Sequence, residues 1–358
     1  MRTKKATKKY EAWLGERLSL IPADLALKHS RMEEAPFPFL RATYYRWAQL
    51  WPEVLSEVAK APRVLAVGDL HLENFGTWRD AEGRLIWGVN DFDEAFPMAY
   101  TNDLVRLAAS AHLAVAANHL KLAAPDACKA ILTGYRDGLE EGGRPFVLEE
   151  DHKWLRETVT GELRDPVHFW GKMNALPTLR SEIPKSARKA LEELLPERRL
   201  IYRVAHRVAG LGSLGRERFV AVADWGGARV AREAKALAPS ACVWAHEGKG
   251  PQKIFYETII TKAVRVLDPF VRLRGRWIVR RLSPHCCRVE LAALPQKHDE
   301  ERLLYAMGFE TANIHLGSKD AIKAVRRDLG KRKPEWLHEA ARAMTAVVLK
   351  EWEEWRKP

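Results

Sequence analysis

Hydrophobic and polar positions along the chain switch between a helical period and short apolar runs of strand length. RVLAVGD (63–69) is apolar and stops at Gly-Asp, the pattern of a buried strand entering a loop. RLIWGVNDF (84–92) is a second such run, and the turn residues RDAEG before it predict a hairpin joining the two. From Thr101 the period lengthens. In TNDLVRLAASAHLAVAANHL, Leu104, Leu107, Ala108, Ala111 and Val115 share one helical face, with Thr101 or Asn102 as N-cap and Asp103 in the first turn. Residues 125–200 read as mainly helical, interrupted at Pro166, Pro177 and Pro184. Residues 202–235 turn β-like: two apolar stretches flank a glycine-rich turn, and Gly226-Gly227 leads into a third. Helix returns over 250–267, RWIVRRL (276–282) is a strand, and a last helix follows Pro334. There Leu337, Ala341, Met344, Val348, Trp352 and Trp355 keep to one face.

Length changes this picture in one respect. Cores stop growing beyond about 250–300 residues, so 358 residues predict two packed lobes. A 47% hydrophobic and 30% charged composition excludes a disordered chain. No apolar run approaches the roughly 18 residues that span a bilayer, so no membrane partner is expected. MRTKKATKKY has no apolar segment after it, as a secretory signal would, and Cys128, Cys242, Cys286 and Cys287 are too few for a disulfide framework. A reduced, cytoplasmic setting is the expectation.

The net charge is +12, from 59 Lys+Arg against 47 Asp+Glu. Arg2, Lys4, Lys5, Lys8 and Lys9 lie in the first ten residues. Arg272, Arg274, Arg276, Arg280, Arg281 and Arg288 punctuate a second stretch, and 323–333 is a third. Such clusters suit nucleic acid or a phosphate-rich ligand. No nucleic-acid module accompanies them, so the plain expectation is a solvated basic surface with a frayed N-terminal tail.

The chemical signal concentrates in VGDLHLENFG (67–76) and NDFDEA (90–95). Phosphoryl transfer from a nucleotide needs a carboxylate for the acceptor hydroxyl, oxygen ligands for magnesium, and a basic group with backbone amides on the phosphates. The D-x-x-x-x-N spacing from Asp69 to Asn74 is that of a kinase catalytic loop, and Asp91 stands where the metal-binding Asp of an Asp-Phe dipeptide belongs. Mg²⁺ takes oxygen ligands and keeps several waters, so Asn74 and Asp91, with Asp93 as a further candidate, suffice. Alone, Asp69 could cap a turn, Asn74 could brace a loop, and Asp91 and Asp93 could be solvated strand ends. Their order around one hairpin favours function. His71 accompanies Asp69 as a candidate, with a loop-bracing role weighed above proton transfer.

These residues, with PFPFLRA (36–42), DLVRLAAS (103–110) and GLGSLG (210–215), resemble the bacterial domain of unknown function family 2252. That family is related to the aminoglycoside and choline kinases within the protein kinase-like fold. The resemblance implies Asp69 as the catalytic-loop residue, Asn74 and Asp91 as metal ligands, Asp103 as a buttress of the loop, and ATP with Mg²⁺ as cofactors. One departure stands out: aminoglycoside phosphotransferases have His-Gly-Asp where this chain has Val67-Gly68-Asp69.

The motif order is also unusual. A kinase presents its glycine-rich loop before the catalytic loop, whereas Gly210-Leu-Gly212-Ser213-Leu-Gly215 follows it by more than a hundred residues, between two β-like runs. A strand-to-strand setting suits a phosphate-covering hairpin and not a Rossmann turn, although a flexible hairpin would read the same. The fold class is therefore α+β, a circularly permuted, two-lobed kinase-like fold. Residues 1–200 and 283–358 form the helical lobe, and 201–282 form a small antiparallel-sheet lobe facing a polyphosphate cleft. The basic partner of the phosphates should lie in ARVAREAK (228–235), where Arg232 matches the position of the family's Lys-Glu-Ala and Lys235 is the alternative; Glu257 is a possible ion-pair partner.

Rival readings are a non-catalytic nucleotide- or nucleic-acid-binding protein and a metallophosphoesterase opening on Asp69-x-His71, whose further blocks are missing. His285-Cys286-Cys287 lacks zinc-site spacing. The acceptor, small molecule or protein, is not encoded in any motif, nor is the choice between phosphoryl and nucleotidyl transfer.

Overall fold

The structure, a computed structural model, describes residues 2–149, 151–159, 165–284, 286 and 299–357. His285, Cys287 and Arg288 lie outside the described residues. Helices open the chain: α1 (Thr3–Gly15), α2 (Pro22–Glu34), α3 (Pro36–Ala42), α4 (Tyr44–Val54) and the single turn α5 (Ser56–Ala59). The expected frayed tail is instead α1. Ala6, Tyr10 and Leu14 recur every four residues and are buried, while Lys4, Lys5, Lys8 and Lys9 stay exposed. Thr3 Oγ1 donates to Glu351 Oε2 at 2.7 Å, which ties this helix to the last one.

Four strands follow: β1 (Arg63–Ala66), β2 (Phe75–Arg79), β3 (Leu85–Val89) and β4 (Phe96–Ala99). The expected hairpin between the two apolar runs does not form. β1 pairs antiparallel with β4, Val64 opposite Met98, whereas β3 pairs with β2, Phe75 opposite Val89. The reason is local. Asp80 Oδ1 accepts the Glu82 and Arg84 N–H groups at 3.0 and 2.8 Å, so the RDAEG turn closes onto the segment just before it.

Next come α6 (Thr101–Ala116), α7 (Ala124–Glu141), β5 (Phe146–Val147, beside β3), α8 (Lys153–Val159), α9 (Pro166–Ala175) and α10 (Lys185–Glu192). The small sheet then begins with β6 (Arg203–His206), β7 (Arg218–Trp225) and β8 (Ala228–Ala236), the last two turning at Gly226-Gly227. Two short helices, α11 (Ala241–Ala245) and α12 (Tyr256–Lys262), precede β9 (Arg272–Arg274) and β10 (Trp277–Leu282). The helix expected over 250–267 is thus only seven residues long. Gly248, Gly250 and Pro251 break it before and Pro269 follows. The five strands are antiparallel in the spatial order β6-β7-β8-β10-β9. Three helices end the chain: α13 (Glu300–His315), α14 (Lys319–Lys331) and α15 (Trp336–Arg356).

One apolar core runs from the N-terminal helices through Leu70 and Leu72 to one face of the sheet at Phe219, Ala234 and Trp277. The other face packs Val220, Val222, Ala231 and Leu282 against Met173 of α9 and, by strand alternation, also carries Glu233 and Lys235. Helices α7 and α13 cross at backbone distance. A Cβ at Gly134 would collide with the Tyr305 carbonyl, and one at Gly308 with the Ile131 carbonyl, so each helix accepts a glycine's propensity cost of about 1 kcal/mol. Among the described residues no helix is long and apolar enough to cross a membrane.

Candidate active-site cleft

The chain leaving β1 is held by the N-terminal end of α6. Asp103 Oδ2 accepts the Val67 N–H at 2.7 Å and Oδ1 accepts the Gly68 N–H at 2.9 Å. Asn102 Nδ2 donates to the Gly68 carbonyl at 3.0 Å, and His315 Nε2 lies 3.0 Å from Asp103 Oδ2. All of these groups are buried, so each bond replaces a desolvation penalty rather than a contact with water. The first-turn acidic residue expected from the pattern therefore serves the neighbouring loop and not its own helix.

One turn further along α6, Arg106 donates Nε to Asp69 Oδ1 at 2.7 Å and Nη2 to both that oxygen and the Leu40 carbonyl. Its guanidinium also stacks about the Tyr44 and Trp47 rings, 5.0 and 4.9 Å from their centroids. Asp69 is thereby fixed through Oδ1, with Oδ2 turned toward Gly212: a Cβ there would stand 3.6 Å from it. Burial pushes the Asp69 carboxyl up to about 7, against the pull of Arg106. His71 braces the loop. Its Nδ1 accepts the Glu73 N–H at 3.2 Å, while Asn74 Oδ1 accepts the His71 N–H at 3.0 Å. That leaves one lone pair on the Asn74 oxygen for another partner.

Asp91 and Asp93 follow β3. Lys235 Nζ lies 2.6 Å from Asp93 Oδ1 and 3.5 Å from Asp91 Oδ1, and Lys235 is itself buried. Burial and the neighbouring Asp91 push Asp93 up to about 6. Burial works against ionised Asp91, but Lys235, hydrogen bonds from Asp93 and the Arg280 charge together outweigh it and keep that carboxyl well below its usual range. Two carboxylates, Asp93 mostly enclosed and Asp91 open on one side to the cleft, share one buried ammonium, a site with a standing demand for positive charge. Arg216 approaches from the other side, 3.9 Å from Asp93 and 3.2 Å from Glu94.

The structure separates the two basic candidates. Side chains alternate along a strand, so Arg232 and Lys235, three apart on β8, face opposite ways. Arg232 donates Nε to the Leu194 carbonyl at 2.8 Å and packs 4.7 Å from the Phe270 ring centroid, away from Asp91. Lys235 faces the acidic pair, and Glu257 is not among its ion-pair partners. Beside Lys235 on the same face, buried Glu233 gathers Arg207, Arg218 and Arg280. Three more arginines of the second basic stretch are likewise matched within or beside the sheet: Arg274 with Glu193, Arg276 with Glu217, Arg281 with Asp268.

The glycine-rich segment between β6 and β7 is a tight 3-10 turn at Leu211–Ser213. Arg218 Nη2 donates to Ser213 Oγ at 2.7 Å, and Ile21 N–H donates to the Gly215 carbonyl at 2.8 Å. A Cβ at Gly212 would crowd the Arg41 carbonyl at 2.9 Å, so only glycine allows this approach. The result is one cleft lined by Asp69, His71, Asn74, Asp91 and Asp93 together with Gly210–Ser213. It also contains residues that sequence reasoning did not select: Tyr10, Lys28 and Arg41. Lys28 is buried and lowered by that burial to about 8, with Nζ 3.4 Å from the Gly212 carbonyl. The helical period of α1 announces a buried Tyr10, but nothing local announces where it packs. Arg106, three residues from Asp103, does carry a signal, since i and i+3 share a helix face.

Fold and cleft define the class: an α+β protein with small antiparallel sheets and a carboxylate-rich cleft under a glycine-rich turn. Residues 20–168 match the model of a family described as an uncharacterized protein conserved in bacteria, DUF2252. That span includes Asp69, Asn74, Asp91, Asp93 and Asp103 and ends before the five-stranded sheet. No curated protein and no solved structure matches the chain.

Proposed function

We propose that the protein is a kinase-like phosphotransferase that uses Mg²⁺–ATP or another nucleotide. The observation that carries this reading is the meeting of Asp69, Asn74, Asp91 and Asp93 with Gly210–Ser213 in one cleft, although the two groups lie more than a hundred residues apart. Two features support it. The glycine-rich turn joins the first two strands of a five-stranded antiparallel sheet, and Lys235 lies on the third, the strand that carries the phosphate-binding lysine of a kinase, with its ammonium beside Asp91 and Asp93 in the cleft. The donor set of one amide and two carboxylates fits magnesium, which would neutralise phosphate oxygens there.

In this reading Asp69 Oδ2 accepts the proton of an acceptor hydroxyl as its oxygen bonds to the terminal phosphorus, and the bond from phosphorus to the nucleoside diphosphate breaks. Arg106 holds Asp69 in place through Oδ1. Lys235 and the amides of the glycine-rich turn hold the phosphates, and Lys28 and Arg216 add positive charge around the turn. A carboxyl near 7 suits a base that must accept and release a proton at neutral pH.

Mg²⁺-dependent nucleotide binding tests the proposal. At a hundredfold excess over Kd a ligand stabilises the fold by about 2.7 kcal/mol, a shift readable by thermal denaturation. It should vanish in Asp91→Asn and persist in Asp69→Asn, which should bind without turnover. A screen of nucleotides with Mg²⁺ that moves no transition would overturn the reading.

A further inference from the structure

A second cluster lies about 13 Å along α6 from Asp103, at 1.5 Å per residue. Among the described residues, His112 on α6, Cys128 on α7 and His338 on α15 each direct one donor atom to a common point, with these atoms all within 4.8 Å of one another. His112 Nε2 is 3.3 Å from Cys128 Sγ, and the two imidazole rings have centroids 5.1 Å apart. His112 and Cys128 are buried; His338 is half-buried, yet its Nδ1 is enclosed with no hydrogen-bond partner.

Burial raises the Cys128 thiol to about 12, and burial together with His338 lowers His112 to about 4. Nitrogen and sulfur donor atoms are thus gathered between three helices, with the His112–Cys128 contact joining two of them and His338 Nδ1 left without a partner. A buried polar atom without a partner asks for an explanation, and an ion is the economical one. Zinc bonds of about 2.0–2.3 Å to nitrogen and sulfur place neighbouring tetrahedral ligands roughly 3.3–3.7 Å apart, which the His112–Cys128 separation already meets.

We propose that His112, Cys128 and His338 form a zinc site, with the fourth position open to water on the half-exposed His338 side. Two imidazoles and one sulfur select zinc over magnesium or calcium, which take oxygen ligands. On binding, the Cys128 S–H proton leaves to solvent and the thiolate sulfur donates to the metal. The ion would pin α6, α7 and α15 together behind the end of α6 that holds Asp69 and the loop. The site is independent of any nucleotide chemistry in the cleft.

The test uses the full chain stripped with a chelator, titrated with Zn²⁺ against a chromophoric competitor and then loaded with Co²⁺. One zinc per chain should bind and raise the melting temperature, and Co²⁺ should give a near-ultraviolet thiolate charge-transfer band. Cys128→Ser should abolish both the band and the zinc-dependent shift. His338→Gln should weaken binding by more than the roughly 10–100-fold that outer-shell partners are worth. If Cys128→Ser does not fold, the half-exposed His338→Gln decides alone. Failure to take up zinc, a cobalt band that survives in Cys128→Ser, or unchanged affinity in His338→Gln would overturn the proposal.

Discussion

Asp103 offers the sharpest test of how the segment from Val67 to Asp69 is held. Its carboxylate accepts the Val67 and Gly68 N–H groups and contacts Asn102 and His315, all of them buried. Asp103→Ala removes four interactions at once. Two backbone N–H groups are left without partners in the interior, each costing about 1–3 kcal/mol. With His315 also released, the expected loss is about 3–5 kcal/mol. Unfolding entropy scales with chain length, so 358 residues correspond to about 0.75 kcal/mol per kelvin. The melting temperature should therefore fall by roughly 4–7 °C. Asp103→Asn keeps one acceptor oxygen and presents an amide N–H to the second donor, so it should lose about half as much. Calorimetry with urea titration reads both. If Asp103→Ala melts within about 1 °C of the wild type, the carboxylate does not anchor this segment and the account of Asp69 placement fails with it.

Other outcomes follow from the same geometry. Lys235→Met leaves Asp91 and Asp93 facing each other without their cation, so Asp93 rises further above its unfolded value. A carboxyl with a raised folded pKa loses stability as pH climbs from the unfolded value through the folded one, so this variant should be more destabilised at pH 8 than at pH 5, as urea titration would show. Arg232→Gln, on the opposite face of β8, should leave nucleotide affinity within about twofold, measured by calorimetry; a loss as large as that of Lys235→Met would reverse the assignment. Turnover, if the cleft is a phosphotransferase, should rise with pH through an apparent value near 7, because Asp69 accepts a proton only when ionised. Gly308→Ala should destabilise by about 1–3 kcal/mol despite alanine's better helix propensity, because the Ile131 carbonyl occupies the space.

Much of the small sheet was legible. The strands run from Arg203 to Leu282, within two residues of the interval that composition suggested, because glycine pairs and apolar runs mark strands locally. Asp69, Asn74 and Asp91 stood out by their spacing along the chain, and all three line one cleft. What escaped was non-local. Pairing of β1 with β4 depends on the intervening β2–β3 turn closing first, and the burial of α1 depends on the last helix being there to receive Thr3. Arg232 and Lys235 were separable in principle by strand parity, but only once the register of β8 against β7 is known.

The chain order of the cleft has a consequence for synthesis. Asp69 leaves the ribosome some 140 residues before Gly212, which at 5–20 residues per second is roughly 7–30 s. Throughout that interval Asp91 and Asp93 lack Lys235, and the Gly212 backbone that faces Asp69 Oδ2 does not yet exist. A nascent chain therefore carries the cleft carboxylates before the glycine-rich turn that faces them exists, so that translation pausing before β6 would prolong the life of an incomplete cleft.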